Sequence, residues 1–346
     1  MSEEYAVFEE LPVEPKDVLD CQFSEWYSKF SEHTWPSIII KPLAKEFLDY
    51  LNSDGIKIPH GYDNKVEQNS NNEYSDWSDA EEETEVHSNE ELSPGFREFH
   101  QTIEKSIAKL GGSVIPKLNW SAPKDAVWMM PNNSLECRTP SDIYLLLKSS
   151  DHIVHDLDHP YDICTNNEEV STPKFELVLR KWVPINPALE FRVFVRNGFI
   201  IGVSQRDLNH YIFLEPMRQR LGEVIENFYN TIVKPKLGSP DFVLDLYVSQ
   251  PSMEVTIVDF NVFARQTDSL LFTWNELLLS PLHHNYELRL VTENNVARFN
   301  KKQYNESQVP IDVISAVQNP DTLVELARSS QQQQAVEPEN SQQSIT

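Results

Sequence analysis

The sequence predicts an α+β protein with mainly antiparallel sheet. Three observations carry this. The elements run helix–strand, helix, strands, hairpin, helix, strands, with no regular βαβ alternation. Asn197-Gly198 joins two alternating runs as a type I′ hairpin turn between Glu190 and Ser204. Two more strand runs, Phe242 to Val248 and Val255 to Phe260, follow each other with Pro251-Ser252 to turn between them.

The elements follow in order. Phe23, Trp26, Tyr27 and Phe30 lie at helical spacing. Ile38-Ile39-Ile40 is a short strand, and Leu43, Phe47 and Leu51 predict a helix ending near Gly55. Ser93-Pro94 is a cap and first-turn pair for a helix with Phe96, Phe99, Ile103, Ile107 and Leu110 on one stripe, stopped by Gly111. Val114-Ile115 starts a strand that delivers Lys117. Thr139-Pro140 opens a helix with Lys148 at its end. Phe175, Leu177 and Leu179 alternate with Glu176, Val178 and Arg180, which is a strand. In the hairpin, period two puts Glu190 and Arg192 on one face, and a two-residue turn sets Gln205 opposite Glu190.

Between these stretches, residues 63–92 read as an acidic disordered spacer, with Asp76, Asp79, Glu81, Glu82, Glu83 and Glu85 and almost no aliphatic residue. Ser78 there suits an acid-directed kinase equally with a plain solvating role. The expected organisation is 1–62 as the N-terminal part of the folded body, 93–288 as its main part, and 289–346 as a weakly structured tail. Gln331 to Gln334 make that tail low in complexity.

The 346 residues carry a formal net charge of -25, which excludes the basic stripe that nucleic-acid binding needs. The acidic start, Met1-Ser2-Glu3-Glu4, lacks a signal-peptide pattern, and no run is apolar enough to span a bilayer. Cys21, Cys137 and Cys164 are scattered and fit a reducing compartment as buried thiols. A cytoplasmic monomer is expected. No HExxH, GxGxxG, P-loop or GxSxG occurs, which removes Rossmann and kinase readings.

Asp259 and Asn261 end one strand and share a face, and Asp245 sits inside the neighbouring strand. Magnesium takes one or two carboxylates and leaves positions for phosphate oxygens. The same Asp-x-Asn fits turn chemistry, and spacing alone favours the turn. Lys117, Lys148, Arg180, Lys181 and Arg192 are the cations a polyphosphate would need, though each alone also reads as a surface or paired residue.

Pro116-Lys117-Leu118-Asn119-Trp120-Ser121-Ala122-Pro123-Lys124-Asp125-Ala126 resembles the hallmark of the cell division cycle protein 123 family. Leu145 to Ser150, Leu179 to Trp182, Glu190-Phe191-Arg192, Ser204 to Asp207, Val258 to Asn261 and Thr267 to Trp274 resemble its later motifs in the same order. The resemblance spans roughly Phe23 to Leu277. Pro187-Ala188-Leu189 and Val262 depart from it at backbone-shaping positions.

The resemblance implies an ATP-grasp fold that binds ATP and Mg2+. It also implies an assembly chaperone for eukaryotic translation initiation factor 2, working through the C-terminal domain of the gamma subunit and so supporting translation initiation and cell-cycle progression. On that template Lys117 and Lys148 reach phosphates, and Asn119, Trp120, Ser121 and Ala122 line the nucleotide loop. Arg180, Lys181 and Trp182 form a hinge beside adenine, Arg192 contacts phosphate, and Gln205 faces the same cleft. Asp245, Asp259 and Asn261 hold magnesium. The alternatives are an ATP-grasp ligase that forms an acyl phosphate, for which no acceptor residues are identified, and a scaffold with a dead nucleotide site. Fold does not decide among them.

Overall fold

The computed structural model describes residues 11–53, 55, 94–165, 171–280 and 286–293. The acidic spacer with Ser78, and the Gln-rich tail, lie outside the described residues. The chain order is α1 (Pro15–Asp20), α2 (Phe23–Phe30), β1 (Ser37–Ile40), α3 (Lys45–Asn52), α4 (Pro94–Lys109), β2 (Val114–Lys117), α5 (Pro140–Lys148), α6 (Asp151–Asp158) and β3 (Leu177–Lys181). Then come β4 (Glu190–Arg196), β5 (Phe199–Gln205), α7 (Arg218–Phe228), β6 (Phe242–Val248), β7 (Val255–Asn261), α8 (Trp274–Leu279) and β8 (Glu287–Arg289).

Local chemistry explains most boundaries. Thr139 and Asp142 cap α5 reciprocally, Thr139 Oγ1 accepting from Asp142 N at 3.2 Å and Asp142 accepting from Thr139 N at 2.9 Å. Gly111 and Gly112 end α4 with φ of 101° and 93°, values a side chain resists, and Gly112 N returns to Ile107 O at 2.9 Å.

The strands form two sheets, β1-β3-β2 and β7-β6-β4-β5-β8. Among the described strands only the β5–β8 pair is parallel, so the sheet is mainly antiparallel as expected. Body structure continues past 288, since β8 crosses that boundary and Leu290 and Val291 are buried.

Period two gives the small sheet two unlike faces. Leu177 and Leu179, with Ile38 and Ile40 beside them, join a core with Phe47, Phe99, Ile103, Tyr144 and Leu147 of α3, α4 and α5. Lys117 and Arg180 take the other side and reach the large sheet, where Lys117 pairs with Asp259. One face of the large sheet packs Phe191, Val193, Leu244 and Ile257 with Trp26, Phe30, Leu221 and Ile225 of α2 and α7. Its other face changes along the strands. Phe194, Ile201 and Val243 pack on Trp274 and Leu277 at one end, while Glu190, Arg192 and Asp245 occupy the other.

Two register shifts decide what that polar end contains. In β4–β5 the pairing runs Arg196↔Phe199 and Val195↔Ile200, then Phe194↔Gly202, which leaves Ile201 extra. Gln205 therefore pairs with Phe191, and Arg206 N donates to Glu190 O at 3.0 Å. This corrects the expected Glu190–Gln205 register. Gln205 lies on the apolar side, where Nε2 donates to Asp207 O and Asn209 O and Oε1 accepts from Val291 N. In β6–β7 the shift leaves Val258 extra, so Asp245 pairs with Asp259 and Val243 with Asn261. Without that bulge Asp259 would oppose Leu244 and point into the apolar core.

Candidate functional site

Between the two sheets, charged and polar side chains from three sources meet. Lys117 and Arg180 come from the small sheet, and Glu190, Arg192, Asp245, Asp259 and Asn261 from the large one. Lys124 and Arg206 come from connecting segments. The aromatic floor under the first two is Phe23 of α2, whose ring centre is 5.7 Å from Lys117 Nζ and 5.2 Å from the Arg180 guanidinium.

Asp245 is the hub. Its Oδ1 accepts from Arg192 Nε at 2.8 Å and its Oδ2 from Arg192 Nη2 at 2.9 Å, a two-pronged pair buried on both sides. Asn261 Nδ2 donates to Oδ2 at 3.3 Å, and Arg206 Nε lies 3.3 Å from the same oxygen. Arg206 also pairs with Glu190 at 3.2 Å, so the Glu190–Arg192 contact that strand spacing allows is replaced by two cross-strand pairs. Burial would raise the Asp245 pKa, but Arg192 and then Arg206 outweigh it and hold the carboxyl well below the usual range.

The cations differ in how they are held. Burial lowers the Lys117 pKa most, Asp259 raises it again, and Arg180 lowers it. Burial also lowers Arg180 against the pull of Asp259 and Glu190. Arg206 is driven the other way, because Asp245, Glu190 and Asp259 together exceed the effect of burial. Lys124 is exposed, and partial loss of hydration and then Arg206 push it down to about 8 against Glu190, Asp245 and Asp259. Among the described residues, five cations thus face Glu190, Asp245 and Asp259, with Asp156 also acting on Lys117, in a chain whose net charge is -25. Such a local inversion of sign suits an anion.

The donor set also fits a hard cation. Asp245 Oδ1 has one protein donor and so keeps a lone pair, and Asp259 and Asn261 stand in register beside it. Arg206 Nε is buried without a well-aligned hydrogen bond, which leaves a donor for an added anionic oxygen. No group of three or more His, Cys, Asp or Glu side chains suited to a metal by themselves occurs among the described residues, so phosphate oxygens would have to complete the shell.

Other expected residues stand apart from this cluster. Lys148 Nζ donates to Tyr50 O at 3.0 Å and Leu51 O at 3.2 Å, and to Ser53 O, at the end of α3. Asn119 is buried and ties Lys174 O and Glu176 N into place. Trp120 Nε1 donates to Val18 O at 2.8 Å, Leu118 N to Ser121 O at 2.9 Å, and Lys124 N to Ala122 O at 2.7 Å, which shapes the loop between Lys117 and Lys124. Lys181 and Trp182 use their N–H groups on Pro36 O and Ser113 O. Arg206 and Lys124 were not singled out by sequence reasoning. Both lie inside the quoted motifs, which was the available signal.

A family model described as D123 matches residues 26–317. The cell division cycle protein 123 of Candida glabrata is 46% identical over 338 residues, covering 95% of each chain. The chain belongs to the D123 family. Within this family, the "translation initiation factor eIF2 assembly protein" of Lodderomyces elongisporus is 46% identical over 376 residues, covering 99% of this chain and 97% of its own. The solved structure of C-terminally truncated Cdc123 from Schizosaccharomyces pombe is 36% identical with a TM-score of 0.68, and the match covers 82% of this chain and all of that one. Among the described residues of this D123 chain, no helix is long and apolar enough to cross a membrane.

Proposed function

We propose that this chain is an ATP- and magnesium-binding assembly chaperone for eukaryotic translation initiation factor 2. It acts as a cytoplasmic monomer on the C-terminal domain of the gamma subunit. The names of its relatives support the assembly role. The observation that carries the nucleotide part is the cluster of five cations around Asp245, Asp259 and Asn261 between two facing sheets.

In this reading Lys117, Arg192, Arg206 and Lys124 take the polyphosphate, and Arg180 to Trp182 border the base. Asp245, Asp259 and Asn261 hold magnesium, whose chemistry there would be to neutralise phosphate charge. Lys117 and Asp259 now neutralise each other, and a metal-bound triphosphate offers each a replacement of the right sign. ATP without metal offers one only to Lys117, so affinity depends on magnesium.

The test is titration of the full chain with a fluorescent ATP analogue, with magnesium and with chelator, together with Asp259→Ala. Binding that ignores both changes rejects the metal assignment. Copurification with the gamma subunit tests the partner. ATP turnover that rises with a carboxylic acid and an amine would replace this reading with a ligase.

A further inference from the structure

Asp156 lies on α6, outside every motif that marks the site, and is 3% exposed. Its Oδ2 accepts from Trp120 N at 3.2 Å and from Ser121 N at 2.8 Å, and its Oδ1 accepts from Ser121 Oγ at 2.8 Å. All three donors belong to two consecutive residues of the loop between Lys117 and Lys124. A carboxylate has acceptor sites for all of them, whereas an amide would present one oxygen and a competing N–H2 group.

The helix that carries Asp156 is itself anchored. Ile153 is buried in the core shared by α3, α4 and α5. Ser150 caps α6 and donates to Asp125 Oδ1 at 2.6 Å, while Asp151 N donates to Asp125 Oδ2 at 2.7 Å. Asp125 directly follows Lys124. The segment from Lys117 to Asp125 is therefore gripped by α6 at two points, by Asp156 near its start and through Asp125 at its end.

We propose that Asp156 is a positioning residue for the nucleotide: its carboxylate sets the Trp120–Ser121 backbone and so the placement of Lys117 and Lys124 on either side. This rests on the nucleotide reading above. Burial raises the Asp156 pKa by more than the hydrogen bonds from Ser121 and Trp120 lower it, so those donors are what opposes protonation of the buried group. Loss of the second carboxyl oxygen would release the loop while leaving α6 held by Ile153 and Asp125.

The experiment uses the full chain as wild type, Asp156→Asn, Asp156→Glu and Ser121→Ala, with Asp158→Asn, an exposed neighbour on α6, as control. Three quantities are measured: affinity for a fluorescent ATP analogue with magnesium, hydrogen exchange at the Trp120 and Ser121 amides, and Tm. Asp156→Asn is expected to bind about tenfold more weakly and to exchange those amides faster, the scale of one lost charge-assisted hydrogen bond. Ser121→Ala loses about threefold, since both amide bonds survive.

A role in packing alone ranks the isosteric Asn above the longer Glu in every measurement. Positioning by the carboxylate reverses that order for affinity while Tm still favours Asn. Asp156→Asn with wild-type affinity overturns the proposal, as does an affinity order that follows Tm. If both Asp156 variants fail to fold, Ser121→Ala decides: unchanged affinity overturns the role. A wild-type chain that binds no magnesium–ATP overturns the nucleotide reading and this role with it, whereas binding that survives Asp156→Asn overturns this role alone.

Discussion

Asp245→Asn removes the charge at the hub of the site and keeps its shape. Arg192 and Asp245 have side chains 7% and 4% exposed, so water cannot replace the lost partner. Arg192 keeps its bond from Nη1 to Asp268 O at 2.8 Å, and Arg206 keeps Glu190. Breaking a buried pair by removing one partner costs about 3–5 kcal/mol, and these surviving contacts place the loss near 3 kcal/mol. For a folded body of this size that is a fall in Tm of roughly 6–12 °C.

The pH dependence has a definite sign. The folded Asp245 carboxyl is held below its unfolded value, so its contribution is present above the unfolded pKa and is lost as pH falls through the folded one. The difference between wild type and variant should stay level from pH 8 to about 5 and shrink only below about pH 4. Urea denaturation across that range is the assay. A double-mutant cycle with Arg192→Met isolates the pair. A loss under about 1 kcal/mol at pH 7, or a difference that already collapses at pH 6, would refute the claim that Asp245 is an ionised buried hub.

Three further predictions follow from single residues. Lys124 is pushed down to about 8, so its charge fades as pH rises from 7 to 9. Affinity for magnesium–ATP should fall over that interval, and Lys124→Met should flatten the profile. Because its folded pKa lies below the unfolded one, the same group makes the fold more stable, not less, as pH rises above 8. Lys148→Met removes donors from the carbonyls of Tyr50, Leu51 and Ser53 and should cost about 1–3 kcal/mol by urea denaturation, with an intact midpoint counting against that capping role. Phe47 is fully buried, with ring centres 4.4 Å from Phe99 and 6.0 Å from Phe96, so Phe47→Ala should cost about 3–5 kcal/mol and loosen α3 from α4. Amide exchange confined to other helices would contradict it.

Much of this molecule is legible along the chain. Apolar spacing located α2, α3, α4 and α5, because each buries one face; alternation located β3, β4 and β5, and apolar runs on either side of a turn located β6 and β7, although most of these strands are buried on both faces. The cap at Thr139-Pro140 and the stop at Gly111 are local chemistry. Helix α8 has six residues and β8 is a three-residue strand that pairs with β5 in parallel, so neither has a period long enough to read, while α6, as long as α2 and α3, carries only Ile153, Val154 and Leu157 among acidic and histidine residues. Asp156 was invisible because its partners are two backbone N–H groups and a hydroxyl of a segment more than thirty residues away.

What the sequence by itself determined is the chemistry available: two sheets' worth of strands, the lysine and arginines of the inner faces, and a pair of acids with an asparagine at strand ends. What only the tertiary structure decided is which of them meet. An extra residue at Val258 turns Asp259 and Asn261 to the side of Asp245. An extra residue at Ile201 turns Gln205 away and brings Arg206 to Glu190. Side chains alternate with period two, so a slip of one position exchanges the two faces of a strand, and neither bulge leaves a mark in residue spacing.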